Sequence, residues 1–169
     1  TFSIQRYGGI SRYFVNLDAG LNKLPGVSSE IATLYSENEY LKNYRVPFNN
    51  KLGKRLFTGH FNRIYRWNRR YCELKIRRNN FDIFHPTYYD PYFIADLKKP
   101  FVLTVHDMIH ELLPNQFPDN DKVVAQKKIM INNADAIIAI SAYTKSDIIK
   151  FYPETEPKIT VIHHGFHFK

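Results

Sequence analysis

Phe101-Val102-Leu103-Thr104-Val105-His106-Asp107 is the stretch that decides the fold. Its apolar run from Phe101 to Val105 reads as a buried strand, and it stops on a histidine and an aspartate. Ala136 to Ile140 (AIIAI) is an unbroken apolar run, the kind covered on both faces of a parallel sheet. Ligands of open α/β sheets bind in the crevice beyond the carboxyl ends of the strands. His106 and Asp107 are therefore the first candidate site residues.

Working outward, the pattern alternates between strand and helix. Gly8-Gly9 opens a helical spacing through Ile10, Tyr13, Phe14, Leu17, Leu21 and Leu24, ended by Pro25-Gly26. Ser29 to Tyr35 alternates weakly and predicts a strand. Ser36 to Gly53 reads as loop with a short helix. Lys54 to Arg78 predicts one long helix, and Phe81 to His85 a short strand stopped by Pro86. An aromatic loop, Tyr88 to Phe93, separates that strand from the one at Phe101. Asp119 to Asn133 reads as a helix capped by Asn120 or Asp121, Ser141 caps another running to Phe151, and Ile159 to His163 is the last strand. The fold class is α/β, a Rossmann-like parallel sheet flanked by helices. A glycine turn that opens a helix normally follows a strand, so the first strand is expected upstream of Thr1 or unusually short.

Composition suits one compact domain over residues 1–169, with 44% hydrophobic and 15% aromatic residues. No apolar run approaches the ~20 residues that span a bilayer. Cys72 is the single cysteine, which excludes an internal disulfide and a thiolate metal site and fits a reducing cytosol. The net charge of +8 resides between Lys51 and Arg78, where Glu73 alone opposes a dense series of lysines and arginines. That argues for one basic element and against a general nucleic-acid coating. Arg63, Arg66, Arg70 and Arg77 form a stripe down one helix face. It is a solvated face, a contact for an anionic membrane surface with Trp67 beside it, or an RNA contact.

Three constellations are candidates for chemistry. Gly8-Gly9 at a helix start is either a tight turn or an anion site built from backbone N–H groups. The dinucleotide fingerprint and the Walker lysine are both missing. His106-Asp107 either closes a loop or offers an imidazole to a sugar hydroxyl or reacting oxygen, oriented by the carboxylate. His85, ahead of Pro86-Thr87-Tyr88-Tyr89, is a pocket contact or a satisfied loop histidine. Metal binding is disfavoured: His106 and His110 are four apart, but no Glu follows His106 in H-E-x-x-H order, and a helix would have to begin directly after a strand. His163, His164 and His167 read as the edge of a domain joint.

The ordered series Tyr7-Gly8-Gly9-Ile10-Ser11-Arg12-Tyr13, Asp82-Ile83-Phe84-His85-Pro86-Thr87-Tyr88-Tyr89, Thr104-Val105-His106-Asp107, Ile140-Ser141-Ala142-Tyr143-Thr144-Lys145 and Val161-Ile162-His163-His164-Gly165 resembles the N-terminal domain of GT-B glycosyltransferases of the family 4 type. The resemblance runs from about Gly8 to Gly165. It implies one half of a two-domain enzyme that retains configuration while moving a sugar from a nucleotide-sugar, with no cofactor and no catalytic metal. It assigns the donor phosphate to Gly8 and Gly9, the donor sugar near the reaction centre to His106, and the adjacent position to Asp107. Ser141 and Lys145 match a start of helix that is mainly structural.

The acceptor would meet His85, Tyr88 and Tyr89, and the basic residues Arg63, Arg66 and Arg70 would face the acceptor or a membrane. That suits a growing polysaccharide or a lipid-linked glycan, handled by a cytoplasmic, membrane-associated protein. The family's donor-binding domain, with its nucleotide pocket and paired glutamates, is expected to lie outside this chain, so the chain alone is expected not to turn over. Two rivals stand beside this reading. One is a non-catalytic, nucleotide-responsive α/β module; the other is an RNA-binding protein using the basic segment 51–78.

Overall fold

The computed structural model describes residues 1–118 and 121–165, so Asp119, Asn120 and His167 lie outside the described residues. The chain forms two compact units, Thr1–Asn80 and Phe81–Lys169.

The second unit carries the sheet. Strands β1 (Val102–Val105), β2 (Ala136–Ala139) and β3 (Ile159–Val161) pair in parallel in the order β1-β2-β3. The register sets Val105 opposite Ala139 and Ala139 opposite Val161. All three strands therefore run out at one level, and whatever follows each of them shares an edge. Leu103, Val105, Ile137 and Ala139 are at most 1% exposed, as the unbroken apolar runs require. Asp135 pins the entry to this ladder: its carboxylate accepts from Phe101 N at 2.8 Å, while its own N–H donates to Phe101 O at 3.1 Å.

Helices α4 (Ile109–Leu112), α5 (Val123–Asn133) and α6 (Ala142–Phe151) make the crossovers. Ser141 caps α6 as expected, accepting from Thr144 N at 3.0 Å. Lys145, one turn on, reaches Ile159 O at 3.4 Å and ties α6 to the start of β3. The expected helix from Asp119 begins instead at Val123, whose N–H donates to the Asp121 carboxylate at 2.8 Å. Asp121 thus does satisfy a first-turn donor. The strand expected over Phe81–His85 reduces to one parallel bridge, Phe84 with Phe101, because Pro86 cannot extend the ladder. Phe93, from the aromatic loop, is 1% exposed and packs edge-on against both Phe84 and Phe101, so it belongs to the core.

The first unit is helical. Helix α1 (Gly9–Leu21) starts at the glycine pair and stops before Pro25-Gly26. The single helix expected from Lys54 to Arg78 is two, α2 (Lys51–Phe57) and α3 (Phe61–Arg78). The break falls at Gly59, whose φ of 76° lies in the left-handed region that ends helices. Gly53 is needed for a different reason: a Cβ there would collide with the backbone carbonyl of Phe48.

Ser29 to Tyr35 is not a strand. Its backbone groups pair with a side chain instead. Asn68, buried on α3, accepts from Leu34 N at 2.9 Å and Tyr35 N at 3.0 Å, and donates to Tyr35 O at 2.7 Å. One amide thus does for this extended segment what a neighbouring strand would do. Asn68→Ala strands those three backbone groups and is expected to cost about 3 kcal/mol of unfolding free energy in urea titration. A loss under about 0.5 kcal/mol would show that water replaces the amide.

Candidate active site

The carboxyl edge of the sheet gathers three histidines. His106 follows β1 directly, and His164 lies three residues past the end of β3; their rings stand 5.6 Å apart. His85 follows the Phe84 bridge, with its Nε2 2.9 Å from Thr104 Oγ1. Burial holds the His106 imidazole well below its ordinary 6.5, at about 4; His164 pushes the same way and Asp107 opposes. Burial also lowers His85 to about 4, with His106 adding to it. At neutral pH both rings are uncharged, able to donate through one nitrogen and accept through the other. Asp107 is exposed, and its carboxylate accepts from Ile109 N at 3.2 Å.

Of the acceptor candidates, Tyr88 is 39% exposed beside this edge, and burial raises its phenol. Tyr89 is 5% exposed. Its hydroxyl accepts from His106 N at 3.4 Å, so it supports the loop from beneath. Strand-end logic finds His85, His106 and Asp107 from sequence. It also applies to His164, which lies three residues past the last strand, although a domain-joint reading obscures it.

Lys127 gave no sequence signal. Its ammonium is fully buried and donates to Asp107 O at 3.1 Å and to Glu111 Oε2 at 2.9 Å. The same ammonium sits 5.0 Å from the centre of the Tyr89 ring. A lysine in mid-helix reads as surface in any sequence pattern, so only the fold could reveal it.

The helix after β1 begins only at Ile109, so His106 stands outside it and the two histidines do not share a helix face. His110 turns to Asp121, with Nε2 3.3 Å from the carboxylate, and stacks on Phe117 at 3.9 Å. Among the described residues no group of three or more His, Cys, Asp or Glu side chains is arranged to hold a metal ion.

In the first unit, Gly8 and Gly9 stand at the start of α1, which has no side-chain cap and no acidic residue in its first turn. A Cβ on Gly9 would meet nothing within 4 Å, whereas one on Gly8 would press on the Gln5 side chain. That leaves backbone N–H groups at an open helix start, the arrangement that attracts anions. On α3 the buried stripe is Ile64, Asn68, Cys72 and Ile76. Arg63, Arg66 and Arg70 fall on the opposite face by helical spacing. A hollow of about 610 Å³ opens at the α2–α3 turn, lined by Gly59, His60, Phe61, Asn62, Arg63, Arg66 and Trp67. Phe61 and Trp67 are 53% and 46% exposed there. Among the described residues no helix is long and apolar enough to cross a membrane.

The buried imidazoles set a pH dependence. Because the folded protein holds His85 and His106 near 4 while the unfolded chain titrates near 6.5, the unfolded state takes up protons first as pH falls. Stability is full above pH 6.5 and declines toward pH 4, by at most about 1.4 kcal/mol per pH unit for each histidine. Urea titrations across that range should show the decline, and His85→Gln with His106→Gln should flatten it. An unchanged slope in the double variant would place the protons elsewhere.

The family model described as Glycosyltransferase Family 4 matches residues 7–168, almost the full length of the chain. No curated protein matches it. The motif order, the parallel sheet and the strand-end histidines agree with that match: this chain belongs to glycosyltransferase family 4, as a Rossmann-like N-terminal domain of the GT-B type.

Proposed function

We propose that this domain serves a retaining glycosyltransferase that moves a sugar from a nucleotide-sugar to a polysaccharide or lipid-linked glycan, together with a donor-binding domain. The observation that carries the proposal is the pair of neutral imidazoles, His85 and His106, at the carboxyl edge of a parallel sheet. When a glycosyl bond to phosphate breaks, positive charge develops on the sugar and negative charge on the phosphate. An imidazolium beside the sugar would oppose the first of these. A neutral ring adds no such repulsion and still hydrogen-bonds hydroxyls.

In this reading His106 positions the donor sugar and Asp107 accepts from hydroxyls at its open side. His85 and Tyr88 meet the acceptor, with Tyr89 behind them. The uncapped start of α1 at Gly8-Gly9 takes the donor phosphate, through N–H groups and the positive end of the helix. Departure of the phosphate is then assisted by fixed dipoles and by the donor-binding domain, with no cofactor and no protein-held metal. In the enzyme with its donor-binding domain, His106→Ala should lower kcat on the order of 100-fold while the unfolding midpoint stays close to the parent's. Unchanged turnover would remove His106 from the site.

A membrane role for the basic face has its own support, in the exposed Phe61 and Trp67 beside Arg63 and Arg66. Aromatic side chains of this kind suit a lipid interface, and arginines suit anionic headgroups. Changing Arg63, Arg66 and Arg70 to Ala should weaken binding to phosphatidylserine vesicles by about 1 kcal/mol per arginine, with the loss masked at high salt. Equal binding by parent and variant would leave a solvated face; retained affinity for RNA alone would favour the nucleic-acid rival.

A further inference from the structure

The Lys127–Glu111 pair is hard to explain as a stabilising device. Its side chains are 1% and 2% exposed, so both charges have lost their water. Desolvation of that kind commonly cancels the attraction, and an apolar pair of similar volume is often as stable or more so. The pairing is also incomplete, since Glu111 Oε1 is buried and has no hydrogen-bond partner among the described residues. What the pair does hold in place is the loop that follows β1. Lys127 Nζ donates to the main-chain oxygen of Asp107, and its charge rests against the face of Tyr89, whose hydroxyl accepts from His106 N. The two residues that leave the strand end are therefore gripped on either side of the peptide group that joins them, at the Asp107 carbonyl from α5 and at the His106 N–H from the aromatic loop. An apolar side chain at 127 could fill the space, but it could not hold the Asp107 carbonyl.

We propose that Lys127 is a positioning residue for the transfer reaction: it fixes the Asp107 carbonyl from inside the core, with Glu111 as its counterion, and thereby sets where the His106 ring and the Asp107 carboxylate stand. This rests on the reading of His106 and Asp107 as the donor-sugar site. Reacting groups displaced by about 1 Å lose on the order of 100-fold in rate, so a grip on the backbone is as consequential as a contact with substrate.

The test uses the enzyme with its donor-binding domain in three forms: Lys127→Met, the double change Lys127→Met with Glu111→Leu, and His106→Ala as reference. Lys127→Met leaves the Glu111 carboxylate buried alone and should lower the urea midpoint. The double change removes both charges and should bring the midpoint back. If Lys127 positions the loop, kcat stays down about 100-fold in both variants, KM moves little, and combining either with His106→Ala lowers kcat no further. If the double variant recovers stability and kcat together, the pair is structural and the proposal fails. Parental kcat in Lys127→Met also overturns it. Should Lys127→Met fail to fold, the double variant alone decides, by the same comparison. A normal kcat in His106→Ala sinks the underlying site reading instead, and that outcome is separate from either result at Lys127.

Discussion

Everything proposed for this domain depends on the register of a three-stranded parallel ladder. Val105, Ala139 and Val161 lie on one line across the sheet. Parallel pairing makes the carboxyl ends of successive strands converge, and equal strand ends make them converge at one level. No contact between the histidines themselves is needed to bring them together. His106 and His164 meet because each follows a strand of the same sheet, whereas His85 follows a bridge at the amino end of β1 and reaches toward this edge through its side chain, at Thr104. The low basicity of His85 and His106 then follows from their burial.

The loop beyond β1 has two sides with opposite chemistry. Its outer side presents rings and a carboxylate that are neutral or solvated. Its inner side faces a buried ammonium and carboxylate that cost free energy to bury. Uncharged groups suit the side where charge would appear during sugar transfer. A fixed charge suits the side where a backbone carbonyl must stay still, because a hydrogen bond from a charged donor is stronger than one from a neutral donor.

Much of this architecture is legible in the sequence, for physical reasons. Unbroken apolar runs such as Ala136 to Ala139 occur where both faces are covered, and Ser141 declares the start of α6 by its capping chemistry. The site residues His85, His106 and Asp107 are legible because strand ends are. The failures are equally specific. Ser29 to Tyr35 has the composition of a strand but finds its partner in the Asn68 amide, a tertiary contact no local pattern encodes. Gly59 divides the basic helix because its left-handed conformation outweighs the apolar spacing that continues across it. Lys127 is hidden because residue type argues for the surface, and only the closed core shows an ammonium inside it.

The most direct measurement is a crystal structure of the enzyme with its donor-binding domain and a non-transferable nucleotide-sugar bound. The account predicts the sugar at the carboxyl edge of the sheet, with a ring nitrogen of His106 within hydrogen-bonding distance of one of its hydroxyls. It also predicts Lys127 still bonded to the Asp107 carbonyl. A sugar held away from His85, His106 and His164 would contradict it, and the histidine cluster would then be a feature of the fold alone.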